Sequence, residues 1–305
     1  MRLGMVGLGR MGANMAERLR AHGHEVLGYD RRRDVSDVAG IAELVAALRR
    51  PRVVWVMVPA GDPTEAVITH LAELLSPGDV IVEGGNSNWN HTVRRAHATH
   101  LRGIGYVDAG VSGGVWGREN GYCLMVGGAA EHVAVAQPAF DALAAPGGFA
   151  HLGGPGAGHF AKMVHNGIEY GLMQAYAEGY DLLRHAGLDL DVDATIEVWR
   201  HGSVIRSWLL DLIGTALQQR PGLADIAGVA QDSGEGRWML QAAVDRGVPL
   251  PAISAALFAR FASRQPDSLA MRLVAALREQ FGGHAVLPED APGDVTPGDV
   301  TPDEA

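Results

Sequence analysis

The 305-residue chain contains one cysteine, Cys123, and one lysine, Lys162. A lone cysteine excludes an intrachain disulfide framework and a cysteine-based zinc site. No apolar run reaches the roughly 18–20 residues that a membrane span needs. Positive charge is in deficit, with a net charge of -10. That balance argues against a nucleic-acid or anionic-membrane footprint, so neither is expected as a partner. The first strand-like stretch begins at Met1, with no charged n-region, apolar h-region or cleavage site ahead of it. A soluble, cytoplasmic protein is therefore expected. No compact cluster of metal-ligand residues stands out, so no metal is expected. Hydrophobic residues at 47% and charged residues at 20% exclude wholesale disorder.

The lysine count carries chemistry. Of the 25 Lys and Arg residues, 24 are arginine. Arginine can supply charge on a solvated face, but it does not lose a proton near neutral pH, whereas a buried lysine can. A position that needs a deprotonatable amine is one where arginine cannot stand in.

The N-terminal half alternates strands and helices. Strand-like runs cover Arg2–Val6, Glu25–Tyr29, Val53–Val58, Val80–Val82, Tyr106–Ala109 and Tyr122–Val126, with amphipathic stretches such as Gly12–Ala21 and Pro63–Leu75 between them. The expected fold is α/β: a Rossmann-type, doubly wound parallel sheet with helices on both faces, followed by an all-α C-terminal domain. Helices are expected over about His159–Ala186, Asp193–Arg200, Val204–Gln219, Gly234–Arg246, Pro251–Gln265 and Ser268–Gln280, with no strand after Val126. The expected units are a dinucleotide-binding domain over 1–157, a helical substrate and dimerisation domain over 158–288, and an acidic, Pro/Gly-rich disordered tail over 289–305.

Gly7-Leu8-Gly9-Arg10-Met11-Gly12 matches G-x-G-x-x-G, follows the first strand and opens a helix. In that context the glycines serve a tight turn, the approach of a pyrophosphate to the backbone, and close helix–sheet packing. The phosphates then rest on a helix N-terminus. Asp30 ends the second strand, where an acid binds adenosine ribose hydroxyls and disfavours a 2′-phosphate. Arg31, Arg32 and Arg33 follow at once and can grip that phosphate. Asp30 thus leans to NAD while the arginines leave NADP open. Val58-Pro59-Ala60-Gly61 lies where a loop lines the cofactor crevice, although an ordinary strand-to-helix turn has the same pattern.

Lys162, His165, Asn166 and Glu169 have i, i+3, i+4 and i+7 spacing, which puts four polar groups on one helix face. Val111-Ser112-Gly113-Gly114 and Glu83-Gly84-Gly85-Asn86-Ser87 each follow a strand, where backbone N–H groups and hydroxyls can meet an anion. Arg206, Arg237 and Arg278 in the helical part can hold phosphate.

Together these residues resemble the decarboxylating 6-phosphogluconate dehydrogenases, in their short bacterial form, within the β-hydroxyacid dehydrogenase superfamily. The resemblance runs to about residue 288. Its motifs are Gly7–Asn14, Glu83–Ser87, Val111–Gly114, Lys162–Tyr170, Val204–Ser207, Gly236–Trp238 and Phe281–His284, and the Lys162–Tyr170 segment is the most specific. The resemblance implies oxidative decarboxylation of 6-phosphogluconate to ribulose 5-phosphate, with hydride transfer to NAD or NADP. It implies Lys162 as general base and Glu169 as general acid. Ser112, Gly113, Gly114, His165, Asn166 and Asn86 would hold the carboxylate and hydroxyls, with Asn86 also near the cofactor. Tyr170, Arg206, Arg237, Arg278 and His284 would hold the phosphate end. In the family the counterparts of Arg278 and His284 reach over from a partner subunit, so a homodimer or tetramer is implied. The chain departs in lacking most of the longer members' second helical segment, in Arg237 where those members have lysine, and in Asp30 where NADP-specific enzymes read Asn-Arg-Thr. Other β-hydroxyacid dehydrogenases, of the 3-hydroxyisobutyrate or tartronate semialdehyde type, share Ser-Gly-Gly and the Lys…Asn pair but need neither His165, Glu169 nor a phosphate grip. A non-catalytic dinucleotide-binding protein is the remaining alternative.

Overall fold

A computed structural model describes residues 1–283, 285 and 286; His284 and the tail from 287 onward lie outside the described residues. Seven strands form one sheet: β1 (Arg2–Val6), β2 (Glu25–Tyr29), β3 (Val53–Val56), β4 (Val80–Glu83), β5 (Gly105–Ser112), β6 (Tyr122–Gly128) and β7 (Ala144–Gly153). Their spatial order is β2-β1-β3-β4-β5-β6-β7. The connecting helices are α1 (Arg10–Ala21), α2 (Ile41–Ala47), α3 (Asp62–Leu74), α4 (Trp89–His100), α5 (Gly117–Asn120) and α6 (Ala130–Leu143). The order reverses at β1, so β1 and β3 flank the crevice in which open α/β sheets bind ligands.

Both faces of the sheet are buried, which is why its strands read as near-continuous apolar runs. One core contains Met15, Leu19, Trp55, Tyr122 and Phe140. The other contains Leu44, Ile68, Leu71, Ile81 and Ile104. The sheet is mixed rather than wholly parallel, because β6 runs antiparallel to β5. The loop from β5 to β6 is too short to carry a parallel crossover, which takes a dozen or more residues.

An edge strand, β7, also runs beyond Val126, where none was expected. Its segment includes Pro146, Gly147 and Gly148, residues that break strand patterns and are tolerated at an edge. Strand β5 continues through Ser112, so Val111 and Ser112 belong to the strand itself and not to the loop after it.

The second half is helical: α7 (Ala157–Arg184), α8 (Val192–Trp199), α9 (Trp208–Gln219), α10 (Glu235–Arg246), α11 (Pro251–Ala262) and α12 (Leu269–Gly282). Helix α9 starts four residues later than its apolar pattern implies. Ser207 is its N-cap, accepting from the Leu210 N–H at 3.1 Å, which leaves Val204–Arg206 outside the helix.

Helix α7 is the axle of the molecule. The Asp108 carboxylate on β5 is fully buried and accepts from the backbone N–H groups of Gly156 at 2.7 Å and His159 at 2.8 Å. Those are orphan donors of the helix start, and the helix dipole favours an anion there. The approach is too close for side chains. A Cβ on Gly158 would lie 2.4 Å from the Met125 carbonyl oxygen, and one on Gly110 would lie 2.5 Å from Lys162 Cβ. A hydrogen bond between His159 Nδ1 and Thr92 Oγ1 adds a tie to α4, at 2.7 Å.

Asp108→Ala should lower the unfolding free energy by about 3 kcal/mol or more, because it strands two buried N–H groups. Urea denaturation measures this, and wild-type stability in the variant would refute the anchoring role.

Candidate active site

One cleft of about 1150 Å³ opens between the carboxyl ends of the strands and α7. On its sheet side lie Gly9, Arg10, Met11, Gly12, Val58, Pro59, Asn86, Ser112, Gly113 and Gly114. On its helix side lie Lys162, His165, Asn166 and Glu169. The i, i+3, i+4, i+7 face therefore points into the same space as the fingerprint and both glycine loops.

Lys162 and Asn166 are buried, each 8% exposed, whereas His165 and Glu169 are partly open. Burial holds the Lys162 ammonium below the usual lysine range, against an opposing pull from Glu169, Glu235 and Cys123. His165 joins the two sides of the cleft. Its Nε2 hydrogen-bonds Ser112 Oγ at 3.2 Å, and its Nδ1 lies 3.1 Å from Asn166 Oδ1 and 3.9 Å from Glu169 Oε2.

Asn86 is held from two directions. Its loop is set by the fully buried Glu83, which accepts from Ser87 Oγ, from the Tyr106 hydroxyl and from Arg95 Nη1. Its side chain donates from Nδ2 to Glu235 Oε1 on α10 at 2.8 Å.

The fingerprint fits a dinucleotide. A Cβ on Gly9 would meet nothing within 4 Å, so the backbone there faces open space that a pyrophosphate can enter. Gly12 is different, because its Cβ would lie 1.9 Å from the Gly7 carbonyl oxygen. Helix α1 has neither a side-chain cap nor an acidic residue in its first turn, leaving its N-terminal N–H groups for an anion. Gly7, at φ 96, makes the turn that only glycine adopts readily.

Gly7, Leu8, Asp30, Arg31, Arg32 and Ala60 do not line the cleft itself. Asp30 sits beside the fingerprint and accepts from the Leu8 N–H at 2.8 Å and the Arg32 N–H at 3.0 Å. Burial pushes its carboxyl up, but those N–H groups and the Arg32 guanidinium win and hold it below the usual carboxylate range. Arg32 also donates to the Leu8 carbonyl at 3.0 Å.

A family model described as the NAD binding domain of 6-phosphogluconate dehydrogenase matches residues 2–154, and one described as the 6-phosphogluconate dehydrogenase C-terminal domain matches residues 158–270. The chain belongs to the 6-phosphogluconate dehydrogenase family. It is an oxidoreductase with an NAD-binding domain. It is 41% identical over 301 residues to the NAD(+)-dependent, decarboxylating 6-phosphogluconate dehydrogenase of Haloferax volcanii, covering 95% of this chain and all of that one. Against the NAD(+)-dependent, decarboxylating enzyme of Bacillus subtilis it is 37% identical over 286 residues, which is 86% of this chain but 61% of the relative. Among solved structures, Plasmodium falciparum 6-phosphogluconate dehydrogenase superposes with a TM-score of 0.79 at 26% identity, covering 95% of this chain and 67% of that one.

Tyr170, Arg206, Arg237 and Arg278, which the family resemblance assigns to the phosphate end, do not line this cleft. Tyr170 is buried, its hydroxyl meets Ser233 Oγ at 3.3 Å, and the Arg260 guanidinium stacks 3.5 Å over its ring. Arg237 is paired with Asp232 at 2.6 Å and lies over Phe261. Arg206 and Arg278 are exposed, and His284 lies outside the described residues.

Sequence reasoning passed over Trp116 and Trp208, which also line the cleft, and the buried Asp108 and Glu235. Asp108 did leave a signal: an acid inside an apolar strand run needs a buried partner.

As the chain's single lysine, Lys162 gives one ε-ammonium signal in protein labelled with 15N-lysine. Its titration midpoint should fall below the free-lysine value of about 10.4. Between that midpoint and about 10.4 the unfolded chain binds the extra proton, so this group makes stability rise with pH there. A midpoint at or above 10.4 would refute the desolvated amine.

Proposed function

We propose that this chain oxidises and decarboxylates 6-phosphogluconate, releasing ribulose 5-phosphate and CO2, with NAD as the favoured acceptor. The observation that carries the reading is the α7 face: a buried Lys162 opens, with His165, Asn166 and Glu169, into the cleft that also holds the fingerprint glycines. The Haloferax relative that supports it is NAD(+)-dependent and decarboxylating over the same length. The nucleotide domain is taken as residues 1–157 and the helical substrate and dimerisation domain as 158–288.

Neutral Lys162 accepts the proton of the substrate 3-hydroxyl as C3 is oxidised. The bound nicotinamide supplies the hydride acceptor. The product of that step is a β-keto acid. The Lys162 ammonium donates to the new C3 carbonyl oxygen while the C1–C2 bond breaks, CO2 leaves and the electron pair becomes an enediol. Glu169 then gives a proton to the former C2, which is C1 of the product. Ser112, His165, Asn166, Asn86 and the N–H groups around Gly113 and Gly114 orient the carboxylate and hydroxyls.

The geometry at Asp30 favours NAD. A carboxylate held ionised beside Leu8 accepts ribose hydroxyls and repels a 2′-phosphate. Arg32 is engaged by the Asp30 carboxylate and the Leu8 carbonyl.

The phosphate end falls to Arg206 and Arg278, with His284, Arg237 and Tyr170 as family counterparts. Arg206 lies two residues before Trp208, which lines the cleft. Arg278 belongs to α12, a helix with none of its residues buried on its own chain. Leu273, Leu277 and Phe281 are 60%, 57% and 96% exposed there. A second copy covering that face would bring Arg278 to its partner's cleft and complete the site in a homo-oligomer.

Initial rates of absorbance rise at 340 nm with 6-phosphogluconate should be higher with NAD than with NADP. No turnover with either, from folded protein, would refute the reading. Lys162→Arg should keep both ligands' binding and lose turnover by roughly 10²–10⁴-fold. Near-normal turnover would remove the base role from Lys162.

A further inference from the structure

Glu235 has no role in the mechanism above, yet its position is unusual. It opens α10, directly after Gly234, and is 3% exposed. A buried carboxylate is costly unless each oxygen is satisfied. Here Oε1 accepts from Asn86 Nδ2 at 2.8 Å, and Oε2 accepts from Ser233 Oγ at 2.6 Å. Ser233 in turn meets the Tyr170 hydroxyl through its side chain at 3.3 Å and its backbone N–H at 3.1 Å. The helix start adds a favourable dipole. The result is a polar chain running from the cleft-lining Asn86, through Glu235 and Ser233, to Tyr170 on α7.

Two consequences follow from the chemistry of a carboxylate. It can only accept, so Asn86 must turn its NH2 toward Glu235. That fixes the orientation of the amide and leaves Oδ1 and the second N–H for a ligand in the cleft. It also brings a negative charge up to the cleft that its partner Asn86 and Lys162 both line, where it acts on Lys162 alongside Glu169 on α7.

We propose that Glu235 is a positioning residue of the reaction: it locks the Asn86 amide in one orientation across the cleft and supplies a standing negative charge to the Lys162 site. This rests on the functional reading above. The charge favours the Lys162 ammonium, and so opposes the desolvation that favours the free amine. Glu235 thereby tempers how basic Lys162 is when substrate arrives.

The test compares wild type, Glu235→Gln, Glu235→Ala, Asn86→Ala and the double variant Glu235→Ala/Asn86→Ala. The readouts are calorimetric Kd for 6-phosphogluconate without cofactor, KM and kcat with saturating NAD, the pH profile of kcat/KM, and Tm. Glu235→Ala should raise Kd and KM by about tenfold or more, the scale of a lost hydrogen bond to a charged group. That increase should disappear when Asn86 is already alanine, because the two residues act as one unit. Glu235→Gln keeps the shape and removes the charge, so the acidic limb of kcat/KM should move to lower pH. If Glu235→Ala does not fold, Glu235→Gln decides by its acidic limb. A lowered Tm with unchanged KM and unchanged acidic limb would make Glu235 merely structural and overturn the proposal. Absence of wild-type turnover would instead overturn the functional reading beneath it.

Discussion

The carboxylate of Asp108, buried on β5 and bonded to the first N–H groups of α7, ties the helix that carries Lys162 to the sheet. A helix N-terminus needs acceptors, and a buried acid needs donors. Each requirement is met by the other. The approach is closed by Gly110 and Gly158, where no side chain fits. With that contact fixed, the positions of Lys162, Asn166 and Glu169 follow from the helical repeat alone. The helix side of the cleft is therefore placed by one strand, one helix and the acid between them.

That arrangement creates an electrostatic tension around Lys162. The helix–sheet contact removes water from an amine, and removal of water favours its neutral form. Glu169 and Glu235 pull the other way. The proposed chemistry uses both states in turn, first the free amine as acceptor and then the ammonium as donor. A guanidinium could serve only the second, which gives a physical reason for the one lysine among 24 arginines.

Much of the fold was legible because the strands are short, apolar and bracketed by glycine turns, and because α7 carries its polar stripe at a clear 3.6-residue spacing. What failed was information that lies between segments. The antiparallel turn of β6 depends on pairing partners, and β7 hides under Pro146, Gly147 and Gly148 at a sheet edge. Local motifs named residues that share one cleft: Gly9 and Gly12 of the fingerprint, Asn86, Ser112 and the Lys162 face line the same space. The phosphate-end residues were less legible. Motif membership says nothing about what a side chain bonds to, and Arg237 and Tyr170 are taken by Asp232 and Ser233. Glu235 was invisible for a related reason, since its partner Asn86 lies 149 residues away.

The chain spans the whole of its Haloferax relative but 61% of the Bacillus subtilis enzyme. Helix α12 has no residue buried on its own chain. The central claim is that this cleft couples oxidation at C3 to loss of the neighbouring carboxylate. The direct measurement is the stoichiometry of one reaction mixture, with NADH read at 340 nm, CO2 captured and ribulose 5-phosphate assayed. The account predicts equal amounts of all three. NADH formed without CO2 would contradict it.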